Sequence, residues 1–278
     1  MKVFLTAVLL FIPIAPTHAG TFITEEIQFT SHNTQLFGSI VRPKEKEIRA
    51  AVVFVHGSGK QSRNLKWAEK FAAEGIATLV YDKRGAGKSG GNYESNQSVS
   101  EKNINLLADD AVAAVEALSK QSALKNVPLG LTGISQAGWI VPIAAEKSSA
   151  VKFMVLWSGP VCKVSEEDIF SQYNADKDSN NVPTYDDALS ARKVKYVWPD
   201  FLGKDSDPAD NLRKLNIPGL WIFGGNDGSV PVDLSIKRLD SIKQSGHEYN
   251  YVLFSGLGHN NMEETFTIAS DWILRLVK

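Results

Sequence analysis

A chain of 278 residues with 43% apolar and 22% charged side chains has globular proportions and is long enough for one large α/β domain or two small ones. Its formal charge of −1, with no basic block, excludes a surface that tracks a phosphate backbone, so nucleic acid is not an expected partner. Cys162 is the sole cysteine, which excludes an intrachain disulfide.

The chain opens with Lys2, an apolar run over residues 3–15 and the small-residue text Thr17-His18-Ala19-Gly20. That is the pattern of a signal peptide over 1–19, cleaved near Ala19, and it predicts a periplasmic or secreted protein of residues 20–278. A membrane anchor needs ~20 uninterrupted apolar residues. Pro13 and Pro16 break this run and no cysteine follows it to carry a lipid, so no stable anchor is expected.

Residues 23–30 and 35–41 alternate apolar and polar side chains around Ser31-His32-Asn33, which predicts an antiparallel hairpin at a sheet edge with His32 solvated in its turn. Continuous apolar runs at 50–55, 76–81 and 152–157 suit strands buried on both faces. Helical spacing appears between them at 65–74 and 101–121, so strand and helix alternate and the sheet should be mostly parallel. Residues 84–91, Arg-Gly-Ala-Gly-Lys-Ser-Gly-Gly, contain a literal Gly-x-Gly-x-x-Gly and a Gly-Lys-Ser. Neither reads as a phosphate loop: Asp82 stands where a P-loop needs glycine, and a polar stretch, not a helix, follows the glycines. Asp82 and Arg84 are expected to brace this loop.

The stretch Leu129-Gly130-Leu131-Thr132-Gly133-Ile134-Ser135-Gln136-Ala137-Gly138 is the most informative in the chain. An apolar run ends in Gly-x-Ser and a helical pattern follows to about Ser148, with a kink expected at Pro142. A serine at the apex of such a turn has its hydroxyl exposed, and the residues two before and two after it must be small, as Gly133 and Ala137 are. The amide of Gln136, at the helix start, is positioned to hold an oxyanion.

A serine nucleophile needs a histidine base and a carboxylate to orient it. Of the five histidines, His18 leaves with the leader, His32 lies in the hairpin turn and His247 precedes the last strand. His56 and His259 follow strand C-termini, the edge where open α/β sheets bind ligands. His259, in the flexible Ser255-Gly256-Leu257-Gly258-His259-Asn260 loop, is assigned the base, and His56 reads as a loop brace. Asp227 lies directly after the strand at 220–224 and before a helix at 232–244, which favours it over Asp233 and Asp240 within that helix.

The segments His56-Gly57-Ser58-Gly59, Tyr81-Asp82-Lys83-Arg84-Gly85-Ala86-Gly87-Lys88-Ser89, Gly133-Ile134-Ser135-Gln136-Ala137-Gly138, residues 224–231 and Gly258-His259 together resemble an α/β-hydrolase of the serine-esterase and serine-aminopeptidase type. The likeness covers about residues 35–278 apart from an insertion, with Ala137 in place of the commoner glycine. It implies an α/β-hydrolase fold, a mostly parallel central sheet flanked by helices, and a triad of Ser135, Asp227 and His259. It also makes the loop after the first buried strand an oxyanion loop, with Ser58 or Gly59 as the donor that partners Gln136.

Residues 158–216 carry no strand pattern and two expected helices, at 166–176 and 185–197, so a helical cap is expected over about 161–211. Phe170, Tyr173, Tyr185, Tyr196, Trp198 and Phe201 either wall an apolar acyl pocket or form the cap's own small core. The expected reaction is acyl transfer to water from a small-molecule ester of short to medium acyl chain, with no metal or cofactor required. Two alternatives stay open. One is a peptidase whose Glu166, Glu167 and Asp168 hold a peptide amino terminus, although an acidic first helical turn explains those residues equally. The other is a non-catalytic binder on the same fold.

Overall fold

The computed structural model describes residues 21–95 and 97–278; the expected leader, its cleavage point and His18 lie outside them. β1 (Phe22–Ser31) and β2 (Thr34–Pro43) form the expected hairpin. His32 and Asn33 have φ of 47° and 57°, the left-handed pair that lets a two-residue turn follow the twist of its strands. His32 is more than solvated: its Nε2 bonds Asp109 Oδ2 at 2.7 Å.

β3 (Ala50–Val55), β4 (Ile76–Tyr81), β5 (Leu129–Ile134), β6 (Val151–Trp157), β7 (Gly219–Gly224) and β8 (Tyr249–Phe254) complete an eight-stranded sheet ordered β1-β2-β4-β3-β5-β6-β7-β8. β2 joins β4 antiparallel, and the pairings from β4 to β8 are parallel. The unbroken apolar runs have a direct cause. Ala51, Val53 and Val55 point into a core with α2 (Glu101–Ser119) and α3 (Ala137–Lys147), while Val52 and Phe54 point into a second core with α1 (Leu65–Ala73) and α8 (Met262–Leu276). Both faces are covered, so every residue of β3 must be apolar. α3 runs continuously through Pro142.

Between β6 and β7 no strand interrupts residues 158–218. Its helices are α4 (Val164–Asn174), α5 (Tyr185–Ser190) and α6 (Ala209–Leu212). α4 stops two residues early because Ala175 and Asp176 turn left-handed, at φ 52° and 54°. The helix expected over 185–197 ends at Ser190, for lack of an apolar face to dock: Val194 and Val197 are 75% and 76% exposed. α7 (Val232–Gln244) follows β7 as expected.

Candidate active site

Two residues, Ser135 and Gln136, turn the chain from β5 into α3. Ser135 sits at φ 56°, a conformation that costs a non-glycine residue roughly 1–3 kcal/mol and persists only where its surroundings enforce it. Here its N–H donates to Trp157 O at 2.9 Å, and Gly138 N–H donates back to Ser135 O at 2.8 Å. A Cβ on Gly133 would lie 2.5 Å from both Ala137 Cβ and Val55 O. Glycine is therefore obligatory at 133, and its missing side chain is what admits alanine at 137.

The carboxylate and the imidazole arrive from the neighbouring strand ends. Asp227, after β7, is fully buried, and its Oδ1 accepts from the amides of Ser229 and Val230, both at 2.9 Å. His259, in the loop after β8, directs Nδ1 to Asp227 Oδ2 at 2.8 Å and Oδ1 at 3.0 Å. A carboxylate only accepts, so Nδ1 carries the proton and Nε2 is left as the basic nitrogen. Burial pulls the His259 pKa down; the Asp227 hydrogen bond and charge, with the charges of Asp178 and Asp176, outweigh it and leave the pKa above its ordinary value. Ser135 Oγ and His259 share no hydrogen bond; in serine hydrolases this contact commonly tightens only in the substrate complex.

Asp178, which the sequence reading passed over, fastens both loops at once. Its Oδ1 accepts from Gly228 N–H at 3.0 Å and its Oδ2 from His259 N–H at 2.9 Å, one residue past Asp227 and at His259 itself. Gly258 presses so closely on the Asp178 carboxylate that a side chain there would collide with it. Its neighbour Ser179 donates its amide to Asn226 O at 3.1 Å. Within an Asp- and Asn-rich segment nothing local distinguishes Asp178; its partners lie 50 and 81 residues away. On the other side, Ser158 Oγ donates to His259 O at 2.7 Å.

The amides of Gln136, Ser58 and Gly59 donate to no protein group among the described residues, so all three remain available to an oxyanion. His56 is a brace: its Nε2 bonds Tyr81 O, its ring is buried, and burial lowers its pKa. His247 Nδ1 bonds Leu215 O at 2.9 Å, away from these loops. Asp233 accepts from Tyr185 N–H and so holds α5. The glycine-rich loop is likewise internal structure: Arg84 pairs with buried Asp110, and Asp82 accepts from the amides of Arg63 (2.8 Å) and Lys88 (2.9 Å). Among the described residues no group of three or more His, Cys, Asp or Glu side chains is arranged to hold a metal ion.

A cavity of about 490 Å³ adjoins the elbow, walled by Phe54, His56, Trp67, Ile134, Asn260 and Met262. These residues come from the α/β core. The cap aromatics take other places: Phe170 is buried, Trp198 packs against the main core, and Tyr173 and Phe201 are 51% and 67% exposed. Of the cap acids, Glu166 pairs with Arg238 at 2.7 Å and Asp168 accepts from Tyr196 Oη at 2.5 Å. The Glu167 side chain has no hydrogen-bond partner among the described residues, and burial, with the nearby charges of Asp176, Asp168 and Asp227, pushes its pKa up to about 8.

A family model described as serine aminopeptidase, S33, matches residues 46–184, half of the chain, from just before β3 through the elbow to the end of α4 and beyond. Esterase EstD of Thermotoga maritima is 28% identical over 215 residues, 69% of this chain; the match spans half the length of that esterase. Among solved structures, the Pyrococcus furiosus esterase Pf2001 superposes with a TM-score of 0.64 at 20% identity, over 92% of this chain and 91% of that one. A Pyrococcus horikoshii acylaminoacyl peptidase gives 0.67 at 18% identity, over 92% of this chain and 41% of the peptidase. At such identities the superpositions speak for the fold alone, which is that of the α/β-hydrolases.

Proposed function

The chain belongs to the serine aminopeptidase S33 family of α/β-hydrolases, and from that premise we propose that it hydrolyses carboxylic esters of short to medium acyl chain through a triad of Ser135, His259 and Asp227. The observation that carries the reading is the Asp227–His259 pair, whose Nε2 is left basic, at the sheet edge where Ser135 is held at φ 56°. His259 takes the Ser135 proton, the alkoxide attacks the ester carbonyl, and the amides of Gln136 and of Ser58 or Gly59 hold the oxyanion. Collapse expels the alcohol with the proton from His259, and water releases the acyl group by the same route.

The wall of Phe54, Trp67, Ile134 and Met262 supports an acyl group as the bound portion, while Gln61, Ser62, Asn64 and Glu263 also line the cavity. Matching kcat/KM for C4 to C8 esters against alanyl, leucyl and prolyl amides tests it, with the esters expected to be faster. Stoichiometric fluorophosphonate labelling that persists in Ser135→Ala would defeat the nucleophile assignment.

One observation favours the peptidase reading. Of the three acids at the start of α4, Glu167 is the one whose side chain has no hydrogen-bond partner among the described residues, and a carboxyl held near pKa 8 would ionise on meeting a substrate ammonium. Amide turnover that exceeds ester turnover and collapses in Glu167→Gln would establish that reading over the esterase. Export follows from the leader pattern: mass spectrometry of secreted protein should find a chain beginning near Gly20, and an intact Met1 would contradict cleavage.

A further inference from the structure

Lys83 is a lysine with almost no access to solvent, 3% exposed, in the loop after β4. Among the described residues no carboxylate lies within ion-pair distance of its ammonium, and the adjacent Asp82 is committed to Arg63, at 3.4 Å, and to two backbone amides. Nζ instead donates to Gly57 O at 2.7 Å and to Gln136 Oε1 at 2.8 Å. Its own backbone N–H donates to Gln61 O at 3.0 Å, and the Gln61 side chain bonds Ser58 O. An unpaired buried ammonium is costly, so a lysine kept in this place calls for a reason beyond packing.

We propose that Lys83 is the positioning residue of the oxyanion hole, one ammonium that fixes both of its donors from behind. Gly57 O and Ser58 N–H belong to the same peptide unit, and in a trans peptide they point in opposite directions. A cation seated on the carbonyl oxygen locks the plane of that peptide and polarises it, which aims and strengthens the Ser58 N–H on the far side. The second contact holds Gln136, whose side chain is stretched between Lys83 and Ser98 O, where Nε2 donates at 2.8 Å, while its backbone N–H is the other donor. The ammonium acts on the Ser58 N–H, whereas the Gly59 N–H belongs to the next peptide, whose oxygen takes the neutral Gln61 side chain, so the charge favours Ser58 as the second donor. The inference rests on the Ser135 reading above.

The charge is as important as the contacts. Burial lowers the Lys83 pKa to about 8, so the ammonium is present at neutral pH and lost a little above it. The other titratable or charged groups around it are the buried imidazole of His56, Asp82 and Arg84 beside it in the chain, and Tyr93, whose ring centroid is 5.9 Å from Nζ. Arg84 is engaged with Asp110. Oxyanion stabilisation should therefore weaken as pH rises through 8, in a limb distinct from the acid limb of His259.

The test is kcat and KM against pH for wild type, Lys83→Met, Lys83→Gln and Lys83→Arg on one p-nitrophenyl ester, with folding checked by circular dichroism. Lys83→Met should lower kcat on the order of 10²-fold, the scale of losing an oxyanion donor, with KM within threefold. Lys83→Arg, which stays charged, should retain most of kcat and lose the alkaline limb; Lys83→Gln, which can donate without charge, should fall between. A folded Lys83→Met with wild-type kcat, or an alkaline limb near pH 8 that persists in Lys83→Arg, overturns the proposal. If Lys83→Met does not fold, the Arg and Gln variants decide it by the same criteria. A wild type that neither turns over esters nor takes a fluorophosphonate at Ser135 is a separate result and defeats the triad reading instead.

Discussion

The α/β core and the segment over residues 158–218 solve opposite problems with opposite materials. In the core, β3, β4 and β7 are buried along their whole lengths, and ladder bonds fix the ends of β5, β7 and β8, from which the turns and loops bearing Ser135, Asp227 and His259 depart. The cap leaves Tyr173, Val194, Val197 and Phe201 exposed and is fastened by polar ties: Glu166 to Arg238 at 2.7 Å, Ser165 Oγ to Asp205 at 2.6 Å, Tyr185 N–H to Asp233, and Asp178 to the acid and base loops. The contrast teaches that a segment with few buried apolar side chains of its own, Ile169, Phe170, Ala188 and Leu202 among them, can be held in place by Val164, Ala209 and Leu212 reaching the main core together with these polar ties. One carboxylate, that of Asp178, ties it to the loops that carry Asp227 and His259.

The sharpest break between the regions should come from the core. Ser135→Ala is expected to lower kcat by about 10⁶-fold, and Asp227→Asn by about 10⁴-fold because the amide favours the wrong imidazole tautomer. Both should keep the wild-type circular dichroism spectrum. Full activity in Asp227→Asn would move the acid to another carboxylate.

Next in size is the cavity beside Ile134, the acyl site under the proposed function. Trp67→Ala enlarges the core-walled cavity and should shift kcat/KM toward longer acyl chains on the order of tenfold. Phe201→Ala, at an exposed cap position, should leave the chain-length profile unchanged. The reverse pattern would return the pocket to the cap.

Asp178→Ala tests the link between the regions. It strips the acceptor from two amides at an exposed position, which should lower stability by about 1 kcal/mol in denaturant titration. It also removes a negative charge that raises the His259 pKa, so the acid limb of kcat/KM should move to lower pH. A limb that stays in place would limit Asp178 to a mechanical role.

The smallest effect is on stability against pH. The folded pKa of His259 is raised, so its pairing with Asp227 contributes stability that is complete below the unfolded pKa of about 6.5 and is lost as pH rises through the folded value. The difference in Tm between wild type and Asp227→Asn should therefore narrow as pH rises across that interval.

Local text determined a good deal. The hairpin, the buried strands, the α/β alternation and the Gly133-x-Ser135-x-Ala137 turn are all written in residues a few positions apart, where apolar periodicity and the space around Cβ atoms leave little choice. Strand order could also be used to bring Ser135, Asp227 and His259 to one edge, because parallel strands end on the same side. What only the tertiary structure decided are contacts without a local signature: Asp178 between two distant loops, Lys83 between Gly57 and Gln136, and a cavity beside the elbow walled in part by Trp67 and Met262. A buried lysine reads in sequence like a surface one, and an aspartate in an Asp-rich loop reads like its neighbours. Their roles come from which donors and acceptors the fold leaves within 3 Å of them, which depends on chain segments tens of residues away.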